Sequence, residues 1–258
     1  VVGCQRPGAR PEQAAAATGG GAIADGSWGG LRVRVAGERV RPREVVVLLH
    51  GWGAPGDDLV SLADDLAAPG RLFVFPEGPL VSLGGGRAWW HLDLARRQAA
   101  RERGQERELR REIPDGLAEA HAAVVRLLDE VARRTSLPPA ATILGGFSQG
   151  AMLSTDVVLA RPGQVGALLV LSGTFITEDV WRPRLASAAN KPRVFLSHGR
   201  SDAILPFHVA EELHDAFRVA GWPIMWTPFA GPHGIPSSVL AALRRFLTSG
   251  GAPDESGR

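Results

Sequence analysis

The run Thr142-Ile143-Leu144-Gly145-Gly146-Phe147-Ser148-Gln149-Gly150-Ala151-Met152-Leu153 decides how this chain is read. Its first six residues are mostly apolar or small, as a buried strand requires, and from Ala151 helical periodicity takes over as far as Leu159. A serine between such a strand and such a helix sits on a sharp turn that forces its hydroxyl out at the sheet edge. Small residues on either side let the turn close and let a base approach. The hydroxyl then lies near a helix N-terminus, whose free N–H groups can receive negative charge developing on a substrate oxygen. A G-x-S-x-G pattern alone occurs often by chance; the strand before it and the helix after it make Ser148 a candidate nucleophile.

A serine hydroxyl is a weak nucleophile and needs a base that is itself oriented by an acid. Downstream, Asp202 stands in His198-Gly199-Arg200-Ser201-Asp202 after the apolar segment Val194 to Ser197. His233 stands in Gly231-Pro232-His233-Gly234 after Ile224 to Phe229. Taken singly, Asp202 reads equally as a turn residue and His233 as a loop histidine with no task. Together, in the order Ser, Asp, His and each at a strand end, they form a candidate triad. Upstream, His50-Gly51-Trp52-Gly53 follows the wholly apolar Val45 to Leu49. Glycines there let the backbone approach a substrate, and the N–H of Trp52 with that of Gln149 would supply the two donors of an oxyanion hole. His50 is expected to fix that loop, and His198 to shape the loop of Asp202.

Working outward, strand-like segments at Leu31 to Val35, Val45 to Leu49, Leu72 to Phe75, Thr142 to Phe147, Ala167 to Leu171, Val194 to Ser197 and Ile224 to Phe229 alternate with helix-like ones. The helical stretches are Asp58 to Ala67, Pro114 to Arg134, Ala151 to Leu159, Val209 to Ala220 and Ser237 to Leu247. This alternation implies an α/β protein with a mostly parallel central sheet and helices on both faces. Chemistry in such sheets sits beyond the C-terminal strand ends.

At this point the chain resembles the phospholipase/carboxylesterase family of α/β-hydrolases, the group that includes acyl-protein thioesterases. The resemblance runs from about Val45 to Leu247. It rests on His50-Gly51-Trp52-Gly53, on Gly145-Gly146-Phe147-Ser148-Gln149-Gly150, on the His198-Gly199 to Asp202 loop and on Gly231 to Gly234. It implies an α/β-hydrolase fold with little or no cap domain, Ser148 as nucleophile, His233 as base, Asp202 as its orienting acid, an acyl-enzyme intermediate and no cofactor. Pro232 stands where the family commonly has Gly. The expected activity is a serine carboxylesterase acting on short- to medium-chain acyl esters. Neighbouring alternatives are an acyl thioesterase or lysophospholipase and a secreted polyester or feruloyl-type esterase; a non-catalytic binding protein on the same fold is the rival from another class. Trp89-Trp90-His91-Leu92-Asp93 resembles the family's substrate-covering loop, so Trp89 and Trp90 read either as walls of an apolar acyl pocket or as core packing.

Length and composition set the outer limits. The 258 residues, 45% hydrophobic and 22% charged, suit one large globular domain or two small ones. The formal charge of +2 is too small for a nucleic-acid footprint. Residues 1–27, mostly Gly, Ala, Pro and Gln, are expected to form a disordered leader, residues 28–249 the hydrolase domain and residues 250–258 a frayed tail. Cys4 is the single cysteine, so no intramolecular disulfide forms, and no metal site is expected because no His or acidic residues show ligand spacing. Val1-Val2-Gly3-Cys4 resembles the end of a bacterial lipoprotein signal, and a lipid on Cys4 would tether the domain to a membrane; the alternative is an accidental cysteine. Localisation is accordingly the bacterial cytoplasm or a lipid-anchored place in the cell envelope. Arg96 to Glu112, with seven Arg and four Glu in 17 residues, reads as a solvated connector, with a mobile lid or a contact to an anionic surface as the alternative.

Overall fold

The computed structural model describes residues 23–82 and 84–249; the leader up to residue 22 with Cys4, and the tail from residue 250, lie outside the described residues. The strands are β1 (Ala24–Trp28), β2 (Leu31–Gly37), β3 (Glu44–Leu49), β4 (Arg71–Pro76), β5 (Leu80–Val81), β6 (Arg87–Ala88), β7 (Thr142–Phe147), β8 (Ala167–Leu171), β9 (Arg193–Gly199) and β10 (Ile224–Phe229). The helices are α1 (Leu62–Asp65), α2 (Leu94–Glu102), α3 (Glu106–Arg111), α4 (Leu117–Thr135), α5 (Gln149–Ala160), α6 (Glu178–Ser187), α7 (Phe207–Val219) and α8 (Ser237–Thr248).

Eight strands form one sheet in the order β1-β2-β4-β3-β7-β8-β9-β10. β1 and β2 run antiparallel at one edge, and every pairing from β4 to β10 is parallel. The order reverses at β3, which has β4 on one side and β7 on the other. A crevice opens beyond the strand ends at such a reversal. The residues after β3 and β7 are the His50-Gly51-Trp52 loop and Ser148.

Alternation of side chains along the strands divides the core in two. Val45, Val47 and Leu49 of β3 and Leu168 and Val170 of β8 face α4, α5, α6 and α7. Val46 and Leu48, Leu169 and Leu171 face α1 and α8. Because helices cover both faces, the central strands are apolar throughout. α5 lies deepest: residues 149 to 159 are all buried. Its Ser154 and Thr155 hydroxyls donate to the carbonyls of Gly150 and Ala151 one turn back, so no polar group on it is stranded.

Three departures from the sequence reading have physical causes. Residues 24–27, assigned to the leader, belong to the sheet: β1 pairs with β2 from Ala24↔Val35 to Trp28↔Leu31. Composition hid this, because an edge strand exposed on most of its surface needs few large apolar side chains. Of Asp58 to Ala67 only Leu62–Asp65 is α-helix; the preceding residues close i to i+3 turns, such as Asp58 N–H to Pro55 C=O and Val60 N–H to Asp57 C=O. α6, which no periodicity announced, holds Pro183 within it and buries Trp181 and Leu185. Trp28 closes β1 onto the body of the protein, packed against the larger core with the Arg134 guanidinium 4.9 Å from its ring. Trp28→Ala should therefore cost about 2 kcal/mol in urea unfolding; an unchanged midpoint would mean that β1 contributes nothing to the fold.

Candidate active site

Ser148 occupies the turn between β7 and α5 with φ 54° and ψ −115°, a left-handed conformation that a non-glycine residue holds only under strain. Packing maintains it. The Ser148 N–H donates to Leu171 C=O at 2.9 Å, tying the turn to the end of β8. Gly150 lies so close to Leu49 that a Cβ would collide with the Leu49 carbonyl, which explains the glycine two residues after the serine. Gln149 begins α5, so its N–H has no partner within the helix.

Asp202 and His233 come from the loops after β9 and β10, which are stitched together by Arg200 N–H to Phe229 C=O (2.8 Å) and Ser201 N–H to Gly231 C=O (3.1 Å). His233 Nδ1 donates to Asp202 Oδ2 at 2.6 Å. That fixes the tautomer and leaves the Nε2 lone pair available as a base. Asp202 Oδ1 accepts the N–H groups of Ile204 and Leu205, each at 2.8 Å. His198, fully buried, sets Nε2 3.2 Å from Asp202 Oδ2 while donating to Leu205 C=O at 2.8 Å. Burial alone would raise the carboxyl's pKa, but hydrogen bonds from His198, His233 and the Leu205 N–H outweigh it and hold the group well below the usual carboxylate range. The Phe147 ring lies 4.7 Å from the His233 imidazole, which brings that imidazole beside the strand end carrying Ser148. Ser172 steadies the same loop by donating to Gly234 C=O at 3.2 Å.

The loop after β3 is held from below. His50 donates from Nδ1 to Gly51 C=O (2.7 Å) and accepts the Gly78 N–H on Nε2 (2.9 Å). Trp89 Nε1 donates to His50 C=O at 3.0 Å. The Gln149 side chain spans the remaining gap: its Oε1 accepts the Trp89 N–H at 2.9 Å and its Nε2 donates to Trp90 C=O at 2.8 Å. The sequence assigned only the backbone of Gln149 a task, and no pattern in it marks the side chain as a clamp. Trp89 and Trp90, 1% and 0% exposed, pack in the core, and Trp90 also borders a cavity of about 280 Å³ on the side of α3. Their contribution is to carry the backbone that the Gln149 amide grips. Among the described residues no three His, Cys, Asp or Glu side chains gather as a metal site would need, and no helix is long and apolar enough to cross a membrane.

A serine on a strained strand-to-helix turn, an Asp–His pair at neighbouring strand ends and the unpaired N–H at the start of α5 beside the serine are parts that acyl transfer uses. The sequence profile described as Phospholipase/Carboxylesterase matches residues 32–249. The chain belongs to this family. Relatives include acyl-protein thioesterase 1 of Eremothecium gossypii, 29% identical over 197 residues that span 72% of this chain and 77% of the relative. A probable carboxylesterase of Oryza sativa subsp. japonica is 26% identical over 223 residues, 83% of this chain and 80% of its own. Among solved structures, esterase PE8 superposes with a TM-score of 0.70 at 31% identity, covering 83% of this chain and 95% of that one. A carboxylesterase from Mesorhizobium loti, at 22% identity and a TM-score of 0.68 over 84% of this chain and 94% of that one, shares the fold.

The His50 imidazole offers a test of how the family's first glycine loop is held here. Burial lowers its pKa below the ordinary value of about 6.5, because a charged ring there would lose water and could no longer accept the Gly78 N–H. The unfolded chain therefore takes up this proton first. The resulting stability is full above about pH 6.5 and is lost as pH falls from there toward the lower folded value. His50→Gln should flatten the decline of urea midpoint between pH 7 and pH 5; an equally steep decline in the variant would show that the ring is charged in the fold.

Proposed function

We propose that this chain is a serine carboxylesterase that hydrolyses short- to medium-chain acyl esters through an acyl-enzyme. The observation that carries the reading is the 2.6 Å bond from His233 Nδ1 to Asp202, which leaves Nε2 as a base beside the strand end that carries Ser148. In this reading Ser148 Oγ attacks the ester carbonyl while His233 Nε2 takes its proton. The carbonyl oxygen becomes an oxyanion between the N–H groups of Trp52 and Gln149, aided by the α5 N-terminus. The Asp202 carboxylate stabilises the imidazolium without accepting its proton. His233 then returns the proton to the leaving alcohol, and water repeats the cycle to release the acid and restore Ser148.

A small acyl group is favoured by the space beside the Asp202 loop, a cavity of about 80 Å³ bounded by Phe175, Ile176, Leu205 and Val209 among others. A second reading is a thioester substrate, favoured by the relatives named acyl-protein thioesterase 1. The chemistry of acyl transfer is the same for both, and the pocket decides between them.

Hydrolysis of p-nitrophenyl esters from acetate to palmitate, run with a fluorophosphonate probe, tests the assignment. Ser148→Ala should lower kcat by about 10⁴-fold or more and abolish labelling; retained turnover and labelling would remove Ser148 from the mechanism. Trp52→Ala keeps the backbone donor and should stay within about tenfold of the native rate, against the 10²–10³ that loss of an oxyanion donor costs.

A further inference from the structure

The Arg96 to Glu112 segment folds as a pair of short helices, and the way it is attached departs from the rest of the molecule. Of the side chains described on α2 and α3, only Ala100 is buried. Charge holds the pair. Arg110, 12% exposed, lies 3.1 Å from Glu178 at the start of α6 and 2.9 Å from Glu212 on α7. Arg111 reaches Asp179 at 2.9 Å and Arg96 reaches Glu112 at 2.7 Å, but these partners are all about half exposed and such pairs are worth little. The Arg110 guanidinium, largely withdrawn from water, is the fastening that joins α3 to two other helices.

Residues of α3 border two half-open clefts. Leu109 and Arg97 stand on the wall of both cavities. One, of about 80 Å³, is the space described above beside the Asp202 loop, and Arg110 also lines it. The other, of about 280 Å³, lies toward Trp90 and the residues after it. Two residues of the smaller cavity's wall, Leu205 and Thr174, touch neighbours of the triad. Leu205 donates its N–H to Asp202, and Thr174 Oγ1 lies 3.9 Å from Met152 Sδ, one turn along α5 from Ser148.

We infer that α3 is the outer wall of the acyl pocket, and that the ion pairs of Arg110 with Glu178 and Glu212 set the acyl chain length by holding that wall down. The inference rests on the esterase reading and goes beyond it. With the wall held, the chain meets the about 80 Å³ space alone. With Arg110 released, Leu109 no longer divides the two cavities and a longer chain gains the about 280 Å³ beyond it.

The readout is the ratio of kcat/KM for p-nitrophenyl decanoate to that for p-nitrophenyl acetate. Arg110→Met keeps the aliphatic stem without the charge and should raise the ratio about tenfold, the scale on which a pocket discriminates by a few methylenes. Glu212→Gln, at a half-exposed position, should raise it less. Leu109 provides a pair that acts in opposite directions without touching the ion pairs: Leu109→Ala should raise the ratio and Leu109→Trp should lower it. Circular dichroism and urea unfolding identify which variants fold, and if Arg110→Met does not, the Leu109 pair decides. A ratio that stays the same across the folded variants overturns the inference. Failure of the esterase reading looks different: the native protein then hydrolyses no ester in the series, or Ser148→Ala hydrolyses them equally well.

Discussion

A buried carboxylate holds this site together. Asp202 is removed from water at the end of β9, where an unpaired charge would be costly, and its two oxygens are served by two loop N–H groups and two imidazoles. Each of those donors is thereby fixed in turn. The Ile204 and Leu205 amides curl the loop around the acid, and His198 pins Leu205 from beneath. His233, the partly exposed member, has its Nδ1 committed to the carboxylate. The same charge that satisfies the core thus selects the tautomer that a base requires.

The other half of the site depends on backbone closeness. α5 enters against the end of β3, with Gly150 against the Leu49 carbonyl, and only glycine allows that approach. The serine before it is forced to a positive φ as a consequence. The strain is local, of order 1–3 kcal/mol, and is sustained because α5 is buried among the sheet and helices α4 and α6. Neutral polar side chains then join the parts: His50 bridges Gly51 to Gly78, and the Gln149 amide bridges α5 to the Trp89-Trp90 backbone. Fully satisfied polar groups of this kind fix one arrangement where apolar contacts alone would tolerate several.

The α2–α3 pair stands in contrast to that rigid floor. It is fastened by ion pairs and borders open clefts, whereas the loops carrying Ser148, Asp202 and His233 are tied to neighbouring strand ends by backbone hydrogen bonds.

The parallel sheet, its central strands and the order of Ser148, Asp202 and His233 were legible in the sequence, because burial on two faces leaves unbroken apolar runs and strand ends carry short, distinctive loops. Thr142–Phe147, Ala167–Leu171 and Ile224–Phe229 coincide with β7, β8 and β10 to the residue. β1 was not legible, because an edge strand needs no apolar run, nor was α6, whose Pro183 disguises it. His198 shapes the Asp202 loop as its position in the sequence suggested, whereas the tasks of the Gln149 side chain and of Arg110 were decided only by the tertiary structure. Local pattern records which face a residue turns inward, but Gln149 grips a backbone about 60 positions away and Arg110 meets a partner about 100 positions away. Hydrogen bonds and ion pairs between such distant residues leave no period in the sequence, since only the folding of the chain brings their atoms within reach.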